Sequence, residues 1–340
     1  MKKNYTLLNY FGSFLLLLCC SSVHAQDIHF SQFWNTPIDI SPALVGVAKE
    51  DIRIFGAYKN QWASVPVGYN TFAAAVDAKL VPKGSRNGYF GVGLLLNNDE
   101  AGDGDWTLTD FSGLISYTQQ LGTGIFASVG GRIGVGHRSF KLQNLTFDNQ
   151  FNGEFFDPTI APSENFVNTN TTFFDSSIGL NLHLQKNDQR TKLDIGAGIH
   201  HLNTPSQNFY AASTVDIPIR QDFYFMGVLK LSQKFDLLGN GLFRFQDEFQ
   251  EIVFGSALRI HLNLTKTKEL ALDFGANLRL GDSVLPYVGL LYHQWRFGFT
   301  YDINTSPFTS ATNFNGGPEF TAIYTITKPR ATARKICPLF

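Results

Sequence analysis

The chain alternates apolar and polar residues over many short segments. In 268–281, for example, Leu272 and Phe274 fall on one face while Asp273 and Asn277 fall on the other. The same alternation marks three further segments, 173–185, 252–264 and 294–303. Because successive side chains of a strand point to opposite faces of its sheet, each segment predicts a strand with one apolar and one polar face.

Weaker alternation predicts ten more strands. They are expected at 52–60, 69–80, 88–98, 108–120, 124–138, 190–202, 221–235, 240–246, 284–292 and 317–327. The total is about fourteen, and an even number is typical of a bacterial single-chain transmembrane barrel.

The connections between the predicted strands differ in length at the two ends. Those after even-numbered strands are short, such as 81–87, whereas several after odd-numbered strands are long: 61–68, 99–107, 139–171, 203–220 and 304–316. The predicted fold class is therefore all-β, a transmembrane antiparallel β-barrel of about 14 strands with short periplasmic turns and long extracellular loops. A soluble all-β protein with an internal apolar core is the alternative.

The composition agrees with a membrane barrel. Charged residues make up 16% of the 340 and aromatic residues 14%, with 32 Phe and 31 Gly. After residue 25, no segment is apolar over the roughly 20 residues that a transmembrane helix needs. The net charge of -1 argues against a nucleic-acid partner.

The first 25 residues have the three parts of a secretory signal peptide. Two lysines precede a short apolar run, and small residues stand before a predicted cut at Gln26. The rest divides into a periplasmic N-terminal segment, 26–51, the outer-membrane barrel, 52–327, and a periplasmic C-terminal tail, 328–340. The predicted cut leaves Cys337 as the one cysteine, so no disulfide within the mature chain is expected.

Several charged residues on the polar faces of the strands are expected to point into the lumen. They are Arg132, Asp194, Arg259, Asp273 and Arg279. Either they neutralise one another inside the barrel, which is the commoner arrangement for enclosed charges, or they select what passes through it.

The sequence offers little sign of catalysis or metal binding. His200 and His201 are adjacent, so on a strand they face opposite sides and do not share a metal. Four carboxylates crowd 99–105, where Ca²⁺ binding is an alternative to simple solvation, although their order does not match an EF-hand. Because no hydrolase or phosphate-binding motif is present, neither a catalytic residue nor a cofactor is predicted.

Aromatic residues and two prolines outside the predicted strands are the candidates for partner docking. Those of 26–49 either plug the lower lumen or dock a periplasmic partner. Those of loop 139–171 form a partner surface, fold into the lumen, or pack against neighbouring loops such as 203–220. The candidates are Phe30, Phe33, Trp34, Pro37, Pro42, Trp62, Phe147, Phe151, Phe155, Phe156, Phe209 and Tyr210.

Several motifs resemble those of one known family. The segment 26–37 reads QDIHFSQFWNTP, and 41–46 reads SPALVG. With YKNQW at 58–62, NDEAG at 98–102 and LISY at 114–117, the chain resembles the PorP/SprF family of type IX secretion and gliding-motility membrane proteins. Ser41 departs from the family pattern, which has asparagine there.

The resemblance implies a function without chemistry. It implies a non-enzymatic component of the cell outer membrane in Bacteroidota, which anchors a large secreted surface adhesin or assists its export and contacts periplasmic type IX secretion components. The rival hypothesis is an outer-membrane transport channel, either porin-like or for small hydrophobic solutes. The two differ in the expected state of the lumen, which is plugged in a scaffold and open in a channel.

Overall fold

The computed structural model describes residues 27–327 except 63–64, 66–67, 83–86, 165, 187–189, 211–212, 266–267 and 308. The predicted signal peptide, 1–25, and the C-terminal tail, 328–340, lie outside the described residues. None of the helices in the described ranges is long and apolar enough to cross a membrane.

Fourteen strands form one closed antiparallel barrel, which confirms the predicted fold. Each strand pairs with its neighbours in the chain, and β1 pairs with β16 to close the cylinder. The barrel strands are β1 (Ile52–Gln61), β2 (Tyr69–Leu80), β3 (Gly88–Ala101), β4 (Trp106–Gly122), β5 (Ile125–Ser139), β6 (Asn170–Gln185), β7 (Lys192–His200), β10 (Arg220–Lys230), β11 (Phe235–Gln246), β12 (Phe249–Thr265), β13 (Lys268–Arg279), β14 (Ser283–Tyr292), β15 (Trp295–Asn304) and β16 (Asn315–Ile326). β8 (Ser206–Tyr210) and β9 (Ser213–Asp216) form a separate hairpin inside the loop between β7 and β10.

The alternation of the sequence appears directly in the exposure of the strands. On β4, Phe111 and Ile115 point outward and are each 56% exposed, whereas Ser112 and Ser116 point inward and are buried. An apolar outer face and a polar inner face are what a transmembrane barrel requires, because alternate residues contact lipid and lumen.

The connections separate into two ends. The turn end carries the short connections 81–87, 123–124, 186–191, 231–234, 266–267 and 293–294. The loop end carries the long ones, above all 140–169 and 201–219. Two connections at the loop end are short, 247–248 and 280–282, as the sequence also indicated.

Two predicted connections are wrong. The turn expected at 236–239 lies at 231–234, because Ser232 Oγ accepts hydrogen bonds from the N–H groups of Lys234 (3.2 Å) and Phe235 (3.1 Å). Gly239, which the predicted turn included, instead lies within β11 and pairs with Gly227 of β10. The loop expected at 99–107 shrinks to 102–105, because β3 and β4 extend beyond their predicted ends.

The short helices are not part of the barrel wall. Before β1 come a 3-10 turn (Phe33–Asn35), helix α1 (Pro37–Ile40) and a second 3-10 turn (Pro42–Leu44). Two 3-10 turns, Leu142–Asn144 and Asp148–Gln150, fall in the longest loop, and helix α2 (Thr309–Thr312) precedes β16. The buried apolar residues gather inside the lumen, around the segment before β1.

Candidate functional site

Residues 27–47, which we call the plug, run through the lumen from the loop end to the turn end. At the loop end, Asp27 accepts a hydrogen bond from His201 (3.0 Å), which follows β7. Towards the turn end, the Gly46 N–H donates to Asp77 on β2 (2.8 Å). The plug therefore lies inside the barrel, which corrects the predicted periplasmic position of 26–51 for these residues.

Glycines of the wall let the plug backbone approach closely. A Cβ added to Gly130 would lie 2.3 Å from the Pro42 carbonyl oxygen, and one added to Gly91 would lie 2.3 Å from that of Val45. At Gly198 the distance to the Ile40 carbonyl oxygen would be 2.2 Å. These glycines therefore serve as contact points for a second backbone, which glycine alone permits because it has no side chain.

Apolar side chains of the plug form the core of the molecule. One cluster joins plug residues to the inner faces of β1, β2, β3, β4 and β16, and a second joins others to β10, β11, β12 and β14. The buried apolar plug residues are Ile28, Phe30, Phe33, Ile38, Ile40, Ala43, Leu44 and Val45. Burying a large apolar side chain contributes about 1.5–3 kcal/mol, so the plug packs as an integral part of the fold.

A polar network fixes the first half of the plug to β13, β15 and β16. The carboxylate of Glu319 accepts hydrogen bonds from the N–H groups of Ser31 (2.6 Å) and Gln32 (2.8 Å). The Ser31 hydroxyl donates to Asp302 (2.8 Å) and accepts from Arg279 (2.8 Å). Because these groups are buried, their hydrogen bonds define one position for the segment.

The start of the plug is held by charge. Burial alone would raise the pKa of Asp27, but Arg220 and His201 outweigh it and hold that pKa well below its usual value. Burial opposes the charge of His201, yet Asp27 and Asp175 raise its pKa to about 9. His201 is therefore protonated at neutral pH and donates to both carboxylates at 3.0 Å.

The two adjacent histidines both face inward, contrary to their predicted opposite orientations. His200 ends β7 and its Nε2 donates to the Ile40 carbonyl (3.0 Å). His201 has a positive φ of 56°, which leaves the strand geometry and turns its ring back towards the lumen. His200 contacts Ile40 and His201 contacts Asp27, so the two histidines hold the plug at two points.

The predicted lumen-facing charges all lie on the inner wall and have partners. Arg259 pairs with Asp273 (2.7 Å), which lies directly opposite on β13. Arg279 pairs with Glu251 and Asp302, each at 3.0 Å. The remaining pairs are Arg132 with Asp110 and Asp194 with His183. Paired charges line the wall in all five cases.

The comparisons with known proteins agree with this architecture. The family model for the type IX secretion system membrane protein PorP/SprF matches residues 22–324. The chain belongs to the PorP/SprF family. It is therefore a membrane component of type IX secretion, and its barrel places it in the outer membrane.

Solved barrels resemble the PorP/SprF chain in fold. TbuX, a toluene transporter of Ralstonia pickettii, is 9% identical with a TM-score of 0.50, over 84% of this chain and 92% of that one. A FadL homologue of Pseudomonas aeruginosa is 9% identical with a TM-score of 0.44, over 84% and 92%. BamA of Haemophilus ducreyi is 9% identical with a TM-score of 0.40, over 82% and 71%. At such identity the likeness to TbuX shows the fold alone. No match was found among curated protein sequences.

The candidate docking residues of this PorP/SprF plug lie inside the barrel. Phe30, Phe33, Pro37 and Pro42 are buried, so a partner would reach them only if the plug moved. Trp34 is half-buried and packs edge-on against Tyr287, with ring centres 5.2 Å apart. Of the candidates in the N-terminal segment, Trp34 is thus the more accessible from the turn end.

The candidates in the loops divide into a packed group and an exposed group. Phe209 is buried and its ring contacts those of Trp106 (5.0 Å, tilted) and Phe140 (5.6 Å, edge-on), and Phe147 contacts Phe166 (6.2 Å). The exposed group is Phe151, Phe155 and Phe156, at 56%, 57% and 42% exposure. Trp62 packs edge-on against Tyr69, and the side chain of Tyr210 lies outside the described part of the structure.

The plug leaves a cavity at each end of the lumen. The loop-end cavity has a volume of about 700 Å³ and is walled by aromatic side chains, including Trp106, Phe140 and Phe166. The turn-end cavity has a volume of about 230 Å³ and a more polar wall, with Arg259 and Arg296 among its residues.

The two ends carry opposite charge. The described loops of the loop end hold ten carboxylates and one lysine, Lys141; the carboxylates are Asp103, Asp105, Asp148, Glu154, Asp157, Glu164, Asp216, Asp247, Glu248 and Asp282. The described turns between strands hold Lys186, Arg190 and Lys234 and no acidic residue, whereas Lys49, Glu50 and Asp51 precede β1 at the same end. Within the described ranges, no group of three or more His, Cys, Asp or Glu side chains is arranged to hold a metal ion, so nothing in the geometry supports Ca²⁺ at 99–105.

Sequence reasoning missed the residues that hold the plug. Glu319 lies on the polar face of β16, and its alternation with Phe320 was a signal that it points inward. The hydrogen bonds that Glu319 accepts from the N–H groups of Ser31 and Gln32 join residues far apart in the chain, which meet only because the barrel closes.

Proposed function

We propose that this outer-membrane protein acts without catalysis, as a plugged scaffold of the type IX secretion apparatus. In this hypothesis the barrel anchors the protein, the loop end holds a large secreted surface adhesin or assists its export, and the turn end contacts periplasmic machinery. The observation that carries the proposal is the plug, because a lumen filled by residues 27–47 suits an anchor better than an open pore.

The exposed aromatic residues of the longest loop support a partner at the loop end. Phe151, Phe155 and Phe156 lie in one stretch, where Phe151 and Phe156 pair as an isolated bridge. Clustered exposed aromatic side chains favour protein interfaces, since each buries a large area on binding.

The test is recovery of partners in mild detergent from cells that produce tagged protein. Wild type should bring down a large surface adhesin and periplasmic secretion components, identified by mass spectrometry. A triple change of Phe151, Phe155 and Phe156 to Ser should lower adhesin recovery while the barrel stays in the membrane. Phe314→Ser is the matched control, because Phe314 is 58% exposed in a different loop. Equal adhesin recovery from the triple variant and the control would refute the docking role of the loop.

A second candidate function is transport of a small hydrophobic solute. The aromatic loop-end cavity, of about 700 Å³, favours it, since ligand pockets of this size are mostly apolar. A transporter should carry a labelled aromatic hydrocarbon into liposomes and should not retain secretion proteins on purification. The scaffold hypothesis expects the reverse of both results.

A further inference from the structure

The turn-end cavity lies between the plug and the wall and reaches the short turns. Trp34, Pro37 and Leu44 of the plug form its inner side. His293 and Gln294, from the turn between β14 and β15, stand on its outer side. The cavity is therefore accessible from the turn end of the barrel.

Two cations of this cavity have no carboxylate partner. Arg296 and Lys192 both line it, and neither forms an ion pair within 4.0 Å with a carboxylate of the described residues. The Nε of Arg296 is buried and has no hydrogen-bond partner there. The carboxylate nearest in sequence to Lys192, Asp194, is already engaged by His183 (2.9 Å) and Asn181 (3.1 Å). Glu50 and Glu269 also line the cavity, but neither forms an ion pair within 4.0 Å with Arg296 or Lys192, so these two cations remain without a direct carboxylate partner among the described residues.

The same cavity presents buried acceptors. Asn240 and Asn277 line it and are only 7% and 4% exposed. Their side-chain oxygens have no hydrogen-bond partner among the described residues. A buried polar atom without a partner is destabilising, so a ligand that supplies N–H donors to these oxygens gains affinity at each.

These features together define the chemistry of a ligand. Unneutralised cations favour a carboxylate, the asparagine oxygens favour N–H donors, and the apolar plug side chains favour a methylene or methyl group. A polypeptide segment with an acidic side chain provides all three, whereas an inorganic anion lacks the apolar part and most of the donors. The basic turns around the cavity attract a segment of that charge.

We propose that the turn-end cavity binds an acidic polypeptide segment of a periplasmic partner, with its carboxylate on Arg296 and Lys192. This inference rests on the proposed contact with periplasmic machinery and names the surface and the chemistry of that contact. Trp34 of the plug forms part of the same surface, so binding here also touches the segment that closes the lumen.

The experiment measures binding of a short capped peptide of alternating Glu and Ala, fluorescently labelled, to the full-length protein in detergent. Fluorescence anisotropy should show saturable binding, and the same peptide with Gln for Glu should bind at least about tenfold more weakly. Arg296→Gln should weaken binding by about tenfold or more, and Lys192→Gln by a smaller factor. Lys234→Gln is the matched control, because it removes an exposed cation of the same end outside the cavity.

Four outcomes overturn the inference. Equal affinity for the Glu and Gln peptides would exclude a carboxylate site. Equal losses in Arg296→Gln and Lys234→Gln would indicate a diffuse charge effect. Full displacement of the peptide by inorganic phosphate at matched ionic strength would indicate a general anion site. If the peptide fails to bind but tagged protein still recovers periplasmic components, the inference is wrong and the proposed function stands.

Discussion

The close approach of wall and plug at Gly130 allows the plug to be displaced without altering the outer face of the barrel. Gly130 lies on the inner face of β5, and an added Cβ would stand 2.3 Å from the Pro42 oxygen, 2.4 Å from its carbonyl carbon and 2.5 Å from the Ala43 nitrogen. Gly130→Val places a branched side chain at this point. We expect it to push the plug out of the lumen.

The required movement follows from these distances. Ordinary contacts begin near 3.4 Å, so the plug must shift by about 1 Å at Pro42 before even the first carbon fits. Overpacking of this kind costs about 1–3 kcal/mol, which raises the ratio of displaced to docked plug by about 5- to 150-fold. The backbone of the wall should resist movement, because Gly130 is paired on both sides, with Ser116 and Gly179.

Two assays report displacement. Planar bilayers should show open-channel current in Gly130→Val far more often than in wild type. Chymotrypsin should cleave the variant after Phe33, which the wild type buries inside the lumen. Gly113→Val on β4 is the matched control, because an added Cβ there meets nothing within 4 Å.

A folded Gly130→Val barrel that is as closed and as resistant to chymotrypsin as Gly113→Val would refute the reasoning. It would mean that the plug adapts locally by an ångström without leaving the lumen, so that its packing does not decide whether the barrel is open.

Three further predictions concern the charges and the loops. Asp27 and its neighbours raise the pKa of His201 from 6.5 to about 9. The stabilisation of the plug by this histidine is therefore complete below pH 6.5 and is lost as the pH rises through 9. Channel openings in bilayers should increase between pH 6.5 and 9 in wild type and not in His201→Gln. Arg259→Ala leaves Asp273 buried without its cation and should lower the free energy of unfolding in urea by about 3–5 kcal/mol, whereas replacing both by Leu should restore most of it. Trp106→Ala removes two aromatic contacts and should destabilise the long loop by about 1–3 kcal/mol, seen as faster proteolysis of 140–169 with an unchanged barrel Tm.

The strands were predictable because each is a local pattern. The alternation in 268–281 places Asp273 inward and Phe274 outward whatever the rest of the chain does, and the structure follows it over β13. Where the local signal was ambiguous the prediction failed. Gly239 was predicted in a turn, and only the pairing of β10 with β11 shows that it lies within a strand.

Predicting the partners of the inward charges requires knowing which parts of the chain are adjacent in the barrel. Arg259 and Asp273 are 14 residues apart and meet because β12 and β13 are adjacent in one register. Predicting these two strands as a hairpin nearly predicts this pair. Glu319 and Ser31 are 288 residues apart, and no local pattern relates them.

The sequence by itself determined the barrel, its number of strands and which residues face lipid, because a period of two fixes the face of every residue in a strand. The tertiary structure decided the place of the plug. The residues at 26–49 were equally compatible with a docking segment and with a plug, because their aromatic and polar side chains suit either. Only the closed cylinder, with glycines at 91, 130 and 198 aligned against the backbone and Glu319 in reach of Ser31, makes the lumen the place where those residues are buried and bonded.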